Sequence, residues 1–364
     1  MMSTEFTIKQ ERMRMLLEKE HLDALLLQSV PNFAWATCGA AAYVNRSESK
    51  AEAALLITRT GRHLITNNIE APRLMGEEHL DDEWEFHVAP WYAAREQIAE
   101  LTHGLALGCD GLYPLAHDVS DELIPLRSNL TMEEDQRFRN LSVLCAQAMG
   151  AAAEAVRPGQ SEQQIAARLG YEAESRGVEV VLNLVGTDER IFNFRHPLPT
   201  AKNLERYAML ILCGRQRGLI CSLTRLLHFG RLPDDLRRKA GAVAQIDAAA
   251  IAATRPGASL GGIFRQAQRT YEQAGFPCEW ELHHQGGPAG YLPREVIATP
   301  DSTVPVLSGQ AFAWNPSITG VKSEDTFLVG AERNEILTEM AAWPCIEVPI
   351  DGHVIKRPAI LERT

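Results

Sequence analysis

The spacing of apolar residues in the first part of the chain predicts a small α/β arrangement. Residues 7–20 place four apolar side chains at helical spacing, namely Ile8, Met13, Leu16 and Leu17. This spacing predicts an amphipathic helix. The unbroken apolar run 24–27 predicts a buried strand, and the Pro-Asn-Phe segment 31–33 predicts a turn. Residues 53–58 and 63–66 are apolar stretches on either side of a glycine, which predicts a β-hairpin.

From Thr131 onward the pattern changes to long helical stretches that begin with capping sequences. Thr131 is followed three residues later by Glu134, and a second such sequence starts at Ser161. Residues 155–161, Ala-Val-Arg-Pro-Gly-Gln-Ser, are echoed 98 residues later by residues 253–259, Ala-Thr-Arg-Pro-Gly-Ala-Ser. A β-rich stretch follows each copy. The repeat therefore predicts two similar α+β halves around a pseudo-twofold axis, with one composite sheet and a site between the halves.

A predicted β-hairpin in the middle of the chain carries the first candidate residues. Two apolar runs, 208–213 and 218–221, flank the polar segment Gly-Arg-Gln-Arg, which predicts a hairpin with a loop longer than two residues. His196 precedes the hairpin, between Arg195 and Pro197. The proline restricts the backbone of His196 to extended conformations. Imidazole is the side chain best suited to proton transfer near neutral pH, so His196 is a catalytic candidate.

Composition and charge narrow the possible partners. The 364 residues carry a net charge of −11, with 45% hydrophobic and 23% charged residues. These values are typical of a globular chain and argue against nucleic acid or an anionic membrane as the partner. No apolar run resembles a membrane span or a signal peptide. The seven cysteines include no Cys-x-x-Cys pair, which favours reduced thiols. We therefore expect a cytoplasmic protein that acts on a small-molecule substrate.

Several of these features together resemble the creatinase, prolidase and aminopeptidase P family, whose C-terminal domain has the pita-bread fold. The matching features are the order of elements in the first part of the chain, the internal repeat, the histidine before the hairpin and the Thr224-Arg225 pair in its second strand. The resemblance implies an α+β protein with a smaller α/β N-terminal domain of the creatinase type, residues 1–130. Residues 131–364 would form the pita-bread domain with its pseudo-twofold repeat.

The same resemblance identifies where this sequence departs from the metallopeptidases of the family. Their metal ions are held by two aspartates, a histidine and two glutamates, and Ile211, Ser222 and Asn315 stand at three of the acidic positions. Slipping the alignment by one residue restores neither aspartate. Glu324 is the one carboxylate retained. Because hard divalent cations need anionic oxygen ligands, we predict a site without a metal ion and without another cofactor.

The resemblance also assigns roles to the remaining polar residues. His196 would be the catalytic acid or base, and Glu324 either a group that orients water or the charge partner of His196, which would raise the pKa of the imidazole. His283 or His284, in a segment that resembles the family's His-x-x-Gly sequence, would stabilise charge. Alternation along a strand lets only one of these two face the cleft. Substrate-binding groups are expected at six further positions: Arg46, Ser222, Thr224, Arg225, Arg294 and Asn315.

The sequence therefore favours a metal-independent, creatinase-like hydrolase that acts on a C–N bond of a small polar amide, amidine or guanidino compound. Two alternatives stay open. One is a metal-dependent peptidase of the Xaa-Pro type, which the count of anionic ligands disfavours. The other is a non-catalytic binding protein that keeps the cleft. The resemblance further implies a homodimer, in which Arg46 from a polar loop of one subunit reaches the substrate carboxylate in the other.

Overall fold

The N-terminal part of the molecule is built around a six-stranded mixed sheet. The computed structural model describes residues 4–364, without the side chains of residues 94 and 95, and the chain divides into two compact units. The first unit extends to Glu134 and includes Arg217–Leu219. In chain order it contains α1 (Thr4–Lys19), β1 (Ala24–Ser29), α2 (Val30–Ala36), β2 (Lys50–Thr58), β3 (Arg62–Asn67), α3 (Ala71–Gly76), β4 (Glu85–Ala89), α4 (Ala94–Thr102), β5 (Leu107–Cys109), β6 (His117–Asp118) and α5 (Ser120–Ser128). The strand order is β4-β3-β2-β1-β5-β6, and β3 and β4 run parallel.

Most of the elements expected in this unit are confirmed, and two expectations are wrong. The predicted strand and hairpin are β1, β2 and β3. Residues 31–33 are not a turn but part of α2, because the Ser29 hydroxyl caps this helix by accepting a hydrogen bond from the N–H of Asn32 at 3.4 Å. A proline is tolerated in the first turn of a helix, where its missing N–H has no partner to lose. Ile8 is 36% exposed and lies outside the buried face of α1.

The second unit contains two four-stranded sheets and the longest helices. Its helices, the first of which begins within the first unit, are α6 (Met132–Ala155), α7 (Glu162–Glu174), α8 (Glu189–Asn193), α9 (Asp234–Ala253) and α10 (Leu260–Gln273), with a 3₁₀ helix at Glu279–Leu282. Its strands are β7 (Glu179–Thr187), β8 (Tyr207–Gln216), β9 (Leu219–Phe229), β10 (Gly286–Ala289), β11 (Ala311–Trp314), β12 (Ser317–Ile318), β13 (Val321–Lys322), β14 (Asp325–Leu328), β15 (Glu335–Ile336), β16 (Cys345–Ile350), β17 (His353–Pro358) and β18 (Leu361–Arg363). Within the described part of the chain, every helix is too short or too polar to traverse a lipid bilayer.

The sequence repeat is also a structural repeat. Ser161 caps α7 and Ser259 caps α10, each by accepting a hydrogen bond at 3.1 Å from the backbone N–H three residues later. Both copies carry a glycine with positive φ, 89° at Gly159 and 87° at Gly257, a conformation that favours glycine. The N–H of each glycine donates to a carbonyl of the β-rich segment that follows, at 2.8 and 2.9 Å. Identical local contacts thus anchor the helical and β-rich parts of both halves.

The central hairpin is tighter, and the sheet less continuous, than the sequence predicted. β8 and β9 are joined by Arg217 and Gly218, both with positive φ, as in a two-residue type I′ turn. The expected longer loop is therefore wrong. The expected composite sheet is divided into β18-β9-β8-β7 and β10-β11-β14-β15. The reason lies at Thr326, whose Oγ1 accepts from Ser222 N–H and donates to Ser222 O, both at 2.9 Å. At this position a side chain takes the place of backbone pairing, while backbone hydrogen bonds from Ile220 N–H to Gly290 O and from Thr224 N–H to Glu324 O still link β9 to the segments of the second sheet.

Candidate active site

Three histidine side chains come together in the second unit. His196 lies between α8 and β8, and His283 and His284 follow the 3₁₀ helix. The Nε2 atoms of His196 and His283 are 3.1 Å apart, and the rings of His283 and His284 stack with centroids 4.4 Å apart. One nitrogen from each ring lies within 4.8 Å of the others. Both neighbouring histidines therefore join the cluster, contrary to the expectation that one faces away, because the pair precedes β10 and does not lie on a strand.

The three imidazoles are held in their neutral form. Burial, followed by the charge of Lys322, lowers the pKa of His283 to about 2. Burial, followed by the charge of Arg294, lowers the pKa of His284 to about 4. His196 is exposed at the surface, but partial desolvation of its ring, followed by the charge of Lys322, still lowers its pKa from the ordinary value of 6.5. At neutral pH each ring thus keeps a nitrogen lone pair.

A buried carboxylate, Glu324, lies at the centre of a neighbouring polar group. Its Oε1 accepts a hydrogen bond from Arg294 Nη2 at 2.7 Å, and its Oε2 accepts one from Thr224 Oγ1 at 2.5 Å. Lys322 Nζ lies 3.0 Å from the same Oε2. Burial alone would raise the pKa of Glu324, but the charges of Lys322 and Arg294 outweigh it and hold the pKa well below its usual range. Two buried cations therefore surround one anion.

The expected net rise in the pKa of His196 is wrong. The carboxylate does act in that direction, but burial and the charge of Lys322 outweigh it, and the net shift is downward. Lys322 and Glu324 are two residues apart, a separation that places side chains on the same face of an extended segment. The positive charges of Lys322 and Arg294 compensate the negative charge of the carboxylate. Glu324 therefore raises the pKa of the His196 imidazole too little to offset the opposing effects. His196 is therefore set to accept a proton.

The three positions without the family's acidic residues have different surroundings. Ile211 is 2% exposed and packs in the apolar core formed by β8, α9 and α10. The hydroxyl of Ser222 lies 3.2 Å from Cys213 Sγ and accepts a hydrogen bond from Arg294 Nη1 at 3.3 Å. Asn315 is buried, and its Oδ1 has no hydrogen-bond partner among the described residues. Ser222 and Asn315 thus remain polar groups of the site, whereas Ile211 belongs to the core.

Two of the predicted substrate-binding arginines have other surroundings. Arg225 is 2% exposed and points to the face of β9 opposite Thr224, as successive strand residues do. Its guanidinium donates to Asp325 Oδ1 and to the carbonyl of Thr338, both at 2.8 Å. These contacts make Arg225 a buried structural ion pair, which corrects its expected role as a substrate group. Arg46 lies in an exposed segment of the first unit, and its expected role depends on a second subunit.

The structure adds Lys322 and Cys213 to the residues expected from the sequence. Lys322 could have been found from its position, because it precedes Glu324 by two residues on an extended segment. Cys213 could have been identified only if the two-residue turn had been predicted, because the length of that turn sets which residue of β8 lies opposite Ser222. Burial raises the pKa of the Cys213 thiol to about 11, so the thiol is a hydrogen-bonding neighbour of Ser222 and not a thiolate nucleophile.

Unpartnered polar atoms mark this region as a place for a ligand. Five buried atoms have no hydrogen-bond partner among the described residues: Nδ1 of His283, Nδ1 of His284, Nε of Arg294, Oδ1 of Asn315 and Oγ of Ser317. A narrow cavity is bordered by His283, Ser317 and Lys322 among others. Each unsatisfied buried group costs about 1–3 kcal/mol. Such a set in one region indicates a substrate or water that completes the hydrogen bonds.

Comparison with known proteins identifies the family. The model of metallopeptidase family M24 matches residues 136–331, more than half of the chain. The chain belongs to metallopeptidase family M24. The prolidase from Pyrococcus horikoshii has a similar fold over nearly the whole of this chain. The TM-score is 0.79 at 18% identity, and the alignment covers 91% of this chain and 98% of that chain. The X-Pro aminopeptidase from Thermotoga maritima gives a TM-score of 0.76 at 18% identity, covering 97% and 99%. These likenesses confirm the pita-bread fold and the family expected from the sequence.

One curated protein shows a more local similarity to this M24 chain. It is the agropine synthesis cyclase of Rhizobium rhizogenes, 29% identical over 168 residues. The alignment covers 43% of this chain and 42% of that protein. The chain thus spans well under two thirds of the relative's length.

The M24 family implies a metal centre, and the residues of this chain do not fit a carboxylate-bound metal pair. The retained carboxylate, Glu324, already binds Arg294 and Lys322, so a divalent cation would have to displace two cationic side chains. The three neutral histidines do offer the nitrogen donors that a zinc-type ion accepts. However, the positive charges of Lys322 and Arg294 would repel a metal ion bound at these rings. No catalytic step is therefore assigned to a metal ion.

Proposed function

We propose that the protein is a metal-independent hydrolase that cleaves a C–N bond in a small polar compound of the amide, amidine or guanidino class. The single observation that carries the proposal is the ion cluster at Glu324. Arg294 and Lys322 supply, as side chains, the positive charge that a metal ion supplies in a metallopeptidase. Fixed positive charge in a buried site stabilises the negative charge that develops on an attacked carbonyl or amidine group.

His196 is the proposed base. In its neutral form it takes a proton from water while the water oxygen forms a bond to the substrate carbon. The same proton then passes from the imidazolium to the leaving nitrogen as the C–N bond breaks. The contact with His283 Nε2 at 3.1 Å fixes the orientation of the ring. General acid–base catalysis of this kind contributes about 10²–10⁴-fold in rate.

The proposed substrate carries a carboxylate or another anionic group. Arg294 and Lys322 place two positive charges against one carboxylate, with both side chains at most 8% exposed. A buried charge without a partner is costly, and an anionic substrate would provide the missing charge. Arg294 Nε is without a partner among the described residues, which supports a direct contact. Asn315 and Ser222 would orient the remaining polar atoms of the substrate.

The test is a substrate screen combined with removal of metals. Dipeptides and guanidino acids are compared with their neutral carboxamide derivatives, before and after dialysis against a chelator. We expect turnover of an acidic compound that survives chelation and is lost in His196→Asn but not in His353→Asn, a change at an exposed histidine of β17. Turnover that disappears on chelation and returns with zinc or manganese contradicts the proposal and supports an Xaa-Pro metallopeptidase. Binding without turnover supports the binding-protein alternative.

A cyclisation is the second candidate, favoured by the partial similarity to agropine synthesis cyclase. In that reaction a hydroxyl or amine of the substrate itself would replace water as the nucleophile, with His196 accepting and returning the proton in the same way. Turnover in ¹⁸O-labelled water separates the two. Hydrolysis places one labelled oxygen in the product, whereas cyclisation gives an unlabelled ring.

A further inference from the structure

A second histidine cluster lies in the first unit, on the sheet formed by β3 and β4. We propose that His63, Glu85 and His87 form a binding site for one divalent transition-metal ion of the zinc, cobalt or nickel type. The proposal does not depend on the reaction proposed for the second unit.

Parallel pairing of β3 with β4 brings the three side chains to one point. His63 pairs with Glu85, and Ile65 pairs with His87, while residues two apart on a strand share a face. Nδ1 of His63 lies 3.0 Å from Nε2 of His87 and 3.1 Å from Oε2 of Glu85. Nε2 of His87 lies 3.7 Å from Oε1 of Glu85. Ligands of a tetrahedral zinc ion are separated by roughly 3.3 Å, given metal–ligand distances near 2.0–2.1 Å, so the donors match this spacing.

The close approach of the two rings suits either an N–H···N hydrogen bond between them or a metal ion that both rings bind. Two nitrogen lone pairs at 3.0 Å repel each other, so the N–H hydrogen of one ring or a metal ion must lie between them. The Glu85 carboxylate adds a negative charge within reach of both rings. Two imidazole nitrogens and one carboxylate oxygen are the donor set that zinc-type ions accept, whereas magnesium and calcium prefer oxygen alone. The chemistry of the cluster thus selects the class of ion.

The cluster is preformed and open to solvent. A Cβ at Gly61 would lie 2.7 Å from His63 Nε2, so the glycine makes room for the ring in this position. The His63 and His87 side chains are 21% and 20% exposed, and Glu85 is 66% exposed, so an ion can enter and keep water as its remaining ligands. The neighbouring cation Arg62 points elsewhere, with its guanidinium 5.3 Å from the centre of the Phe6 ring.

A bound ion would join β4, at the edge of the sheet, to the interior strand β3. Because an ion that binds the native state alone stabilises it by mass action, the expected role is to hold the edge strand in place. Metal binding should therefore raise the melting temperature of the protein.

Titration of the chelator-stripped, full-length protein with Co²⁺, followed by its visible absorption and by calorimetry, tests the site. We expect one ion per chain and a higher melting temperature with cobalt. Both effects should be lost in His87→Ala, and the affinity should fall in Glu85→Gln by at least the roughly 10–100-fold that losing an outer-shell partner of a metal ligand costs.

Two controls make the assignment specific. His103→Ala removes an exposed histidine of the same unit, and His283→Ala disrupts the cluster of the second unit; both should keep the cobalt site. If His87→Ala fails to fold, as judged by circular dichroism, Glu85→Gln decides on its own, because its side chain is at the surface. Unchanged cobalt affinity in the folded Glu85 or His87 variants, or loss of the ion in His283→Ala, would overturn the proposal.

Discussion

The two histidine clusters have nearly the same geometry and opposite electrostatic surroundings. Ring nitrogens approach to 3.0 Å in the first unit and to 3.1 Å in the second. In the first unit the neighbouring charge is the Glu85 carboxylate. In the second unit burial, followed by the charges of Lys322 and Arg294, lowers the pKa values of His283 and His284. Similar imidazole pairs can therefore serve different purposes: beside an anion they suit a metal ion, and beside cations they suit proton transfer.

The difference also bears on how the proposed hydrolase would work on a metallopeptidase fold without a metal ion. At the Glu324 cluster the scaffold and one carboxylate are retained, and two side chains provide the positive charge. A side-chain cation differs from a metal ion because it cannot bind water as a ligand and lower its pKa. A base would then be needed to activate water, and the neutral His196 is the proposed base.

Replacing His196 gives the largest expected effect. His196→Asn keeps a hydrogen-bonding side chain but removes the proton acceptor, and kcat/KM on the substrate found by the screen should fall by about 10²–10⁴-fold. The fold should be unaffected, since the His196 side chain is exposed. Steady-state kinetics with His353→Asn as the matched control check this result. Near-full turnover in His196→Asn would rule out the proposed base.

Removing the cations should make the two clusters more alike. Arg294→Gln removes the guanidinium proposed to contact the anionic group of the substrate, and KM for such a substrate should rise by about 10–100-fold, as expected for a charge-assisted hydrogen bond worth about 1.5–3 kcal/mol. The double variant Arg294→Gln with Lys322→Met should also gain affinity for Co²⁺ at the three histidines. Calorimetry in a His87→Ala background measures that gain. No change in KM or in cobalt affinity would show that these cations do not set the chemistry of the site.

Sequence reasoning succeeded where the determining contacts are local. The helix starts at Thr131 and Ser161 follow from hydrogen bonds that span three residues, and these bonds are present. The segment 31–33 was missed because the cap at Ser29 competes with the usual preference of proline and asparagine for turns. The extent and type of the elements were thus set largely by short-range chemistry.

The site was less predictable, because its chemistry depends on contacts between distant segments. The histidines and Glu324 were found from their motifs, but the sign of the His196 pKa shift was not. Arg294 and Glu324 are thirty residues apart, and nothing in the local sequence indicates that they are bonded. Thr224 and Arg225 were treated alike, although strand alternation sends one to Glu324 and the other to Asp325.

The buried neutral histidines predict a pH dependence of stability. The pKa of native His283 is about 2, whereas an unfolded histidine titrates near 6.5. Between these values the unfolded chain binds a proton that the native protein excludes. The stabilising effect is therefore present above about pH 6.5 and is lost as the pH falls, by up to about 1.4 kcal/mol per pH unit for this residue.

Urea unfolding at pH 7.5, 6.5 and 5.5 measures that slope in the wild type and in His283→Gln, which cannot take up the proton. We expect a shallower decline in the variant, with His353→Gln as the control for loss of an exposed histidine. Kinetics provide a second check: activity should decline on the acidic side as His196 becomes protonated, since its pKa is lowered. A rate that instead falls only as the pH rises would make His196 an acid.

The smallest expected effect concerns the proposed homodimer. If Arg46 serves the site of a partner subunit, mixing the weakened variant Arg46→Ala with His196→Asn should give more activity than either variant has alone. In a mixed dimer of the two variants, one site carries both substitutions and the other carries neither. Because random exchange makes about half of the dimers mixed, at most about a quarter of wild-type activity returns. Light scattering establishes the dimer first. A monomer, or mixtures without any recovery, would exclude the shared site.

The central claim is that side-chain cations stand in for the metal ion at the M24 site. Its most direct test is elemental analysis of purified His87→Ala protein, in which the first-unit cluster cannot contribute, together with turnover before and after chelation. If the side-chain cations replace the metal ion, the protein holds far less than one divalent metal ion per chain and chelation leaves turnover unchanged. A stoichiometric metal ion that is lost in His283→Ala, with activity that chelation abolishes and metal restores, would contradict it.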